Sequence, residues 1–238
     1  MALSILILAA GQHEADNASP IYLAEHGDMT ILERILKKCV AINPAELAIC
    51  FLKSDIQRFN VDRVAKLLSP DIKIIEIESY TGGSGCTALF GACQAPPQNE
   101  LMIVSANELV NIELEPALEV FRERQLDGAT LIFHSMNPRY SFVKMDKGGR
   151  VVEATQQDPI STNATVGLFW YARAEYFVRA VKQMIIKNAT INDRFFIAPA
   201  FNEMILEDKY VGVIQINKFD YLPLKNAAQR KLFEEGQI

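Results

Sequence analysis

At 238 residues, half of them hydrophobic and 22% charged, the chain has the make-up of a soluble globular protein, one α/β domain or two small ones. A formal net charge of −5 leaves no electrostatic case for nucleic acid or an anionic membrane as partner. Cys39, Cys50, Cys86 and Cys93 lack C-x-x-C spacing and read as reduced thiols of a cytoplasmic protein, while the apolar start is too short for a bilayer and lacks a signal peptide's basic segment.

The apolar run at 4–8 predicts a buried central strand, and Ala9-Ala10-Gly11 a sharp turn with no Cβ at Gly11 to block a ligand. In a parallel α/β sheet ligands sit beyond the carboxyl ends of the strands, where the loop at 12–18 falls. Residues 1–33 contain no Lys or Arg, whereas Glu14, Asp16, Glu25, Asp28 and Glu33 are acidic. A triphosphate docked here would meet carboxylates and one histidine, His13. Two unit charges at ~4 Å interact by ~4 kcal/mol at an effective dielectric of about 20, so the missing cations matter.

Thr30 to Glu33 has capping-box spacing, and Ile31, Leu32, Ile35, Leu36, Cys39 and Val40 recur at helical spacing as far as Asn43-Pro44. Strands are predicted at 46–52 and 72–77, around a polar-faced helix over 55–68 and a Ser69-Pro70-Asp71 turn. Such alternation predicts a parallel sheet with right-handed crossovers. Thr81-Gly82-Gly83-Ser84-Gly85 then opens an apolar run to Cys93; a loop of this kind either turns the chain or offers backbone N–H groups to a phosphate or base. A strand at 101–104 leads to Ser105-Ala106-Asn107-Glu108. Glu108, Glu113 and Glu115 read as solvated residues at the start of a helix over 114–125, with a charged role at a ligand site as the alternative. Further on, a strand at 129–134 precedes a hairpin through the Gly148-Gly149 turn. Next come a strand with Trp170 in the core and a helix over 174–187. A strand at 210–216 and an amphipathic helix over 224–233, its polar face solvated or set against a second subunit, complete the chain.

These segments together resemble the sugar nucleotidyltransferases, which join a nucleoside triphosphate to a sugar phosphate and release pyrophosphate. Leu8-Ala9-Ala10-Gly11 with Pro20-Ile21-Tyr22-Leu23 is similar to that family's L-A-A-G-x-G-x-R and P-K-P-L. The stretch from Pro138 through Lys144 and Asp146 to Glu153 resembles the capsule-type P-K-W-S-Y-V-K-L-D-x-x-G-x-V-x-E, and Ile191 to Pro199 resembles V-N-x-E-F-Y-V-A-P. The resemblance implies a three-layer α/β/α Rossmann-like mixed sheet of the nucleotide-diphospho-sugar transferase type, a GT-A-like fold. It implies one domain, with a nucleotide-binding half at about 1–110 and a sugar-binding half at about 111–238. Nucleotide contacts are implied at Ala9, Ala10, Gly11, Gln12, His13, Gly83 and Gly85, and sugar contacts at Arg139, Lys144, Glu153, Gln157, Thr165, Gly167 and Asn192. Catalysis would fall to Asn107, Glu108 and Arg194 and, in an active enzyme, Mg²⁺ to Asn107, with Asp220 the nearest remaining acid near the chain's end.

The frame is kept and the charges are not. The loop arginine, the Pro-Lys lysine, the metal aspartate (Asn107 here), the Glu-Lys pair (Gln156-Gln157) and the Asn-x-Glu glutamate (Arg194) are all replaced, beside an intact apolar core. Drift without selection damages both classes alike, so the pattern implies a retained fold with reduced or replaced chemistry. Three readings follow: a working nucleotidyltransferase; a silent binder of a nucleotide or nucleotide sugar, alone, as a homo-oligomer or beside an active paralogue; and a glycosyltransferase. The last is weakened because no two aspartates stand two apart to form D-x-D. His13, His26 and His134 are scattered, and neither G-x-S-x-G nor G-x-x-x-x-G-K-[ST] occurs.

Overall fold

The structure, a computed structural model, describes residues 2–12 and 18–237. β1 (Leu3–Ala9) lies at the centre of a nine-stranded mixed sheet. From it the chain passes through a small hairpin, β2 (Glu25–His26) and β3 (Met29–Thr30), into α1 (Ile31–Ala41) and returns as β4 (Glu46–Leu52), parallel to β1. The capping box at Thr30 is present in full, each side chain satisfying the other's backbone N–H. Two short helices, α2 (Lys53–Phe59) and α3 (Val61–Leu68), lead to β5 (Lys73–Ile77) at the sheet edge. The single helix expected over 55–68 is therefore broken: Asn60 sits at φ 52°, ψ 35°, a left-handed conformation that asparagine tolerates, and closes α2.

α4 (Ser84–Ala92) carries the chain back to β6 (Glu100–Ser105), parallel to β1 on its other side. β7 (Glu108–Val110) leaves the main sheet, and α5 (Leu114–Glu123) leads to β8 (Gly128–His134). The expected hairpin follows as β9 (Ser141–Met145) and β10 (Val151–Gln156), and then β11 (Asn163–Tyr171), which runs antiparallel to both β6 and β8. Finally come α6 (Ala174–Ile186), α7 (Ala200–Leu206), β12 (Val211–Gln215) parallel to β8, β13 (Tyr221–Pro223) and α8 (Ala227–Glu234). The last helix starts three residues later than expected because Leu224 is wholly buried and Asn226 provides the cap, accepting the Gln229 N–H.

Helices cover both faces of the sheet. Alternate β1 residues serve opposite sides: Ile5 and Ile7 meet α1, α3 and α5, while Leu6 meets α4, and α6 and α7 extend that same core. Trp170 is 1% exposed, with its ring centroid 5.5 Å from that of Phe121, so it belongs to the core. Full burial of each such side chain contributes roughly 1.5–3 kcal/mol, which is why the scaffold keeps these positions apolar. The arrangement is the three-layer mixed α/β/α fold expected from the sequence.

Candidate functional site

A cleft of about 460 Å³ opens beyond the carboxyl ends of β1 and β6. One wall is neutral and largely backbone: Ala9, Ala10, Gly11 and Gln12 at the end of β1, and Gly83, Ser84 and Thr87 at the start of α4. Tyr22 stands behind it, its hydroxyl donating at 2.8 Å to the fully buried Asp55. Burial, and then the Asp55 charge, pushes the Tyr22 phenol well above its ordinary range, so it is a fixed neutral donor.

The glycine loop is shaped by a neighbouring strand of chain as much as by the cleft. Phe195 N–H donates to the Gly82 carbonyl at 2.8 Å, and Gly85 N–H donates to the Phe195 carbonyl at 2.9 Å. A β-carbon on Gly83 would stand 2.3 Å from that carbonyl oxygen, at a φ of +124°. Gly85 lies behind the cleft wall, and its N–H, one of the orphan donors of α4, is already used. Gly83 lines the cleft; Gly85 supports it.

The rest of the lining is charged. Arg139, Arg194, Lys225 and Arg230 line the cleft, Arg230 already donating to Glu234 at 2.8 Å and to the Ser19 carbonyl at 2.9 Å, and among the described residues Glu108 is the one carboxylate in the lining. Glu108 is not the solvated helix-start residue that reading in sequence order suggested: it begins β7 and is 3% exposed. β7 pairs with β13 (Pro223 opposite Glu108), and the Leu224 N–H donates to the Asn107 carbonyl at 2.9 Å. This clamp puts Lys225 Nζ 3.3 Å from Glu108 Oε2, which also accepts from the Tyr221 hydroxyl. At an effective dielectric of about 20 that charge contact is worth roughly 5 kcal/mol before desolvation costs. Lys225 also lies over the Tyr140 ring, 5.6 Å from its centroid. Burial, reinforced by Glu108, raises both the Tyr221 and the Tyr140 phenols, so both remain protonated beside the carboxylate.

Glu108 fits only because residue 167 is glycine. A β-carbon there would fall 1.6 Å from Glu108 Oε1. Gly167 sits where the β11–β8 register shifts between Thr165 and Phe169, an irregularity held by the Thr130 hydroxyl donating to the Leu168 carbonyl at 2.7 Å. Thr165 and Gly167 both line the cleft.

Of the residues singled out from the sequence, Asn107, Glu108, Arg194, Ala9, Ala10, Gly11, Gln12, Gly83, Arg139, Thr165 and Gly167 come together here. His13 lies outside the described residues. Lys144 and Glu153 are exposed partners across the β9–β10 hairpin, away from the cleft wall. Gln157 and Asn192 are also away from it, joined by a 3.0 Å hydrogen bond from Asn192 Nδ2 to Gln157 Oε1. Asp220 is outside the wall, its carbonyl accepting the Asn111 N–H. Lys225 and Arg230 were missed. Their signal was two cations on the polar face of the helix expected over 224–233, a face that reads from sequence as solvated or set against a second subunit.

A divalent cation fits this residue set poorly. Asn107 Oδ1 already accepts from Ser105 Oγ at 2.9 Å, and Glu108 is paired with Lys225 and Tyr221. Among the described residues no three His, Cys, Asp or Glu side chains come close enough to hold a metal ion. Nor is any helix among them long and apolar enough to cross a membrane.

Solved structures share the whole architecture. The nucleoside-diphosphate-sugar pyrophosphorylase of Vibrio cholerae RC9 aligns over 97% of this chain and 99% of its own, with a TM-score of 0.81 at 18% identity. A Bacillus anthracis protein assigned as a glucose-1-phosphate thymidylyltransferase, solved with a sucrose, aligns over 98% and 96%, with a TM-score of 0.76 at 12% identity. No family model matches the chain, and no curated protein matches it in sequence. The chain thus has the sugar nucleotidyltransferase fold, at identities too low to carry activity across.

Proposed function

We propose that the protein binds a nucleotide or nucleotide sugar in this cleft and that nucleotidyl transfer is reduced or lost. The observation that carries the reading is one cleft lined by both neutral backbone and four cationic side chains, on a chain whose net charge is −5. Cations gathered from three separate segments of an acidic protein, at residues 139, 194 and 225–230, give the cleft a local field suited to anions. The base would lie against residues 9–12 and 83–87, the phosphates between the walls, and the sugar toward Arg139, Thr165 and Gly167.

In nucleotidyl transfer a sugar-phosphate oxygen attacks the α-phosphorus in line and pyrophosphate leaves. Positioning and charge neutralisation supply most of that catalysis. Arg194 and Lys225 can neutralise charge here, whereas Asn107 contributes an amide dipole and no charge. Loss of several charged contacts costs orders of magnitude in rate.

A thermal-shift screen with the four nucleoside triphosphates and common nucleotide sugars, each with and without Mg²⁺, tests the binding. A ligand at ~100 times its dissociation constant stabilises the fold by ~2.7 kcal/mol. Stabilisation without pyrophosphate release supports the proposal; fast release overturns the claim of lost chemistry, and silence across the panel overturns binding.

A further inference from the structure

The geometry points to Lys225 as a built-in cation: we infer that its ammonium, held by buried Glu108, stands in for a divalent ion, so that the cleft takes a diphosphate group without a metal. This rests on the reading of the cleft as a nucleotide or nucleotide-sugar site.

Three observations carry it. Glu108 is 3% exposed and its Oε2 takes both Tyr221 and Lys225, so the lysine is tethered at a set place by a group that cannot move. The Lys225 side chain nonetheless remains 32% exposed and lines the cleft; with one donor on Glu108 and its ammonium 5.6 Å from the Tyr140 ring centroid, it keeps a further N–H donor for a ligand. Glu108 Oε1, buried at the cleft wall against Gly167, has no hydrogen-bond partner, an acceptor left open for a ligand hydroxyl.

The charge balance agrees. A dication on two carboxylates and an ammonium on one carboxylate are both neutral overall and positive toward the ligand. With asparagine at 107 and lysine at 225, the described residues offer the second arrangement and lack the first. Lysine is a well-suited phosphate partner of this kind, a compact point charge on a flexible stem.

The test uses the full-length protein and inorganic pyrophosphate, a probe that needs no knowledge of the base. Calorimetric titration in EDTA should show binding, and adding Mg²⁺ should not tighten it. Lys225→Gln should lose about tenfold in affinity or more, and Lys225→Arg should keep most of it. Binding that requires Mg²⁺, or a Lys225→Gln variant that binds as well as the parent, overturns the inference. The comparison of EDTA with Mg²⁺ decides the question on the parent protein even if the variant does not fold. If pyrophosphate and every nucleotide of the screen fail to bind with or without Mg²⁺, the fault lies in the site reading itself.

Discussion

The two walls of the cleft are built by opposite means. The wall from β1 and α4 is backbone, held in shape by glycine and by the Phe195 main chain, and its side chains carry no charge. The charged wall is side chain, a carboxylate from β7 and four cations from the β8–β9 connection, residue 194 and the start of α8. The turn residues of the first wall are thus set locally and locked by the distant Phe195 main chain, whereas the charge is assembled entirely at a distance. Changes in the first wall should alter folding and fit, whereas changes in the second should alter affinity and leave the fold standing.

The largest expected effect is alkaline. Burial pushes the Cys39 and Cys50 thiols up from about 9 to about 12 and raises the Tyr22, Tyr171 and Tyr221 phenols above their usual 10. Each group binds its proton more tightly in the folded state. Its stabilisation is therefore complete below the unfolded pKa and falls as pH rises above it, by about 1.4 kcal/mol per pH unit per group. Urea titrations from pH 8 upward should show stability declining from about pH 9, more steeply above about pH 10. Replacing Cys39 and Cys50 with alanine should flatten the decline between about pH 9 and 10, leaving there only the Cys86 thiol, which burial also raises.

Next in size is Gly83→Ala, which meets both a left-handed backbone and the Phe195 carbonyl; it should cost about 3 kcal/mol by denaturant unfolding. Gly167→Ala should cost about 1–3 kcal/mol, and unlike the former it should also displace Glu108 and weaken ligand binding. Tyr221→Phe leaves Glu108 with one donor fewer and should cost about 1–2 kcal/mol. The smallest effect on stability belongs to Arg194→Gln, exposed and within about 0.5 kcal/mol of the parent. Its nucleotide affinity should still fall several-fold. A parallel loss of stability there would break the division between the walls.

The same division governs what could be read from the sequence. Local signals sufficed for the neutral wall: an apolar strand, an Ala-Ala-Gly turn, a glycine cluster before a helix. They sufficed for the capping box and for the β9–β10 hairpin too, since each depends on residues a few places apart. Asn60 broke a helix that periodicity alone continued, because apolar spacing is blind to one left-handed residue. Glu108 was misjudged because its burial depends on β13, more than a hundred residues on, and on the missing Cβ of Gly167. Lys225 and Arg230 looked like an ordinary polar helix start for the same reason. Charges that meet only after folding leave no spacing to detect.

The clamp between β7 and β13 has a consequence for the order in which the molecule is completed. Glu108 and Tyr221 are separated by 113 positions, and contacts of such span form late because the intervening loop must first be closed. Until residues 221–225 emerge and dock, the carboxylate at 108 has neither its phenol nor its ammonium and resists burial. During synthesis, the central strands can assemble while the cleft stays unfinished. The cleft becomes competent only when residues 221–225 dock, so ligand binding reports that this stretch has been made and seated against β7.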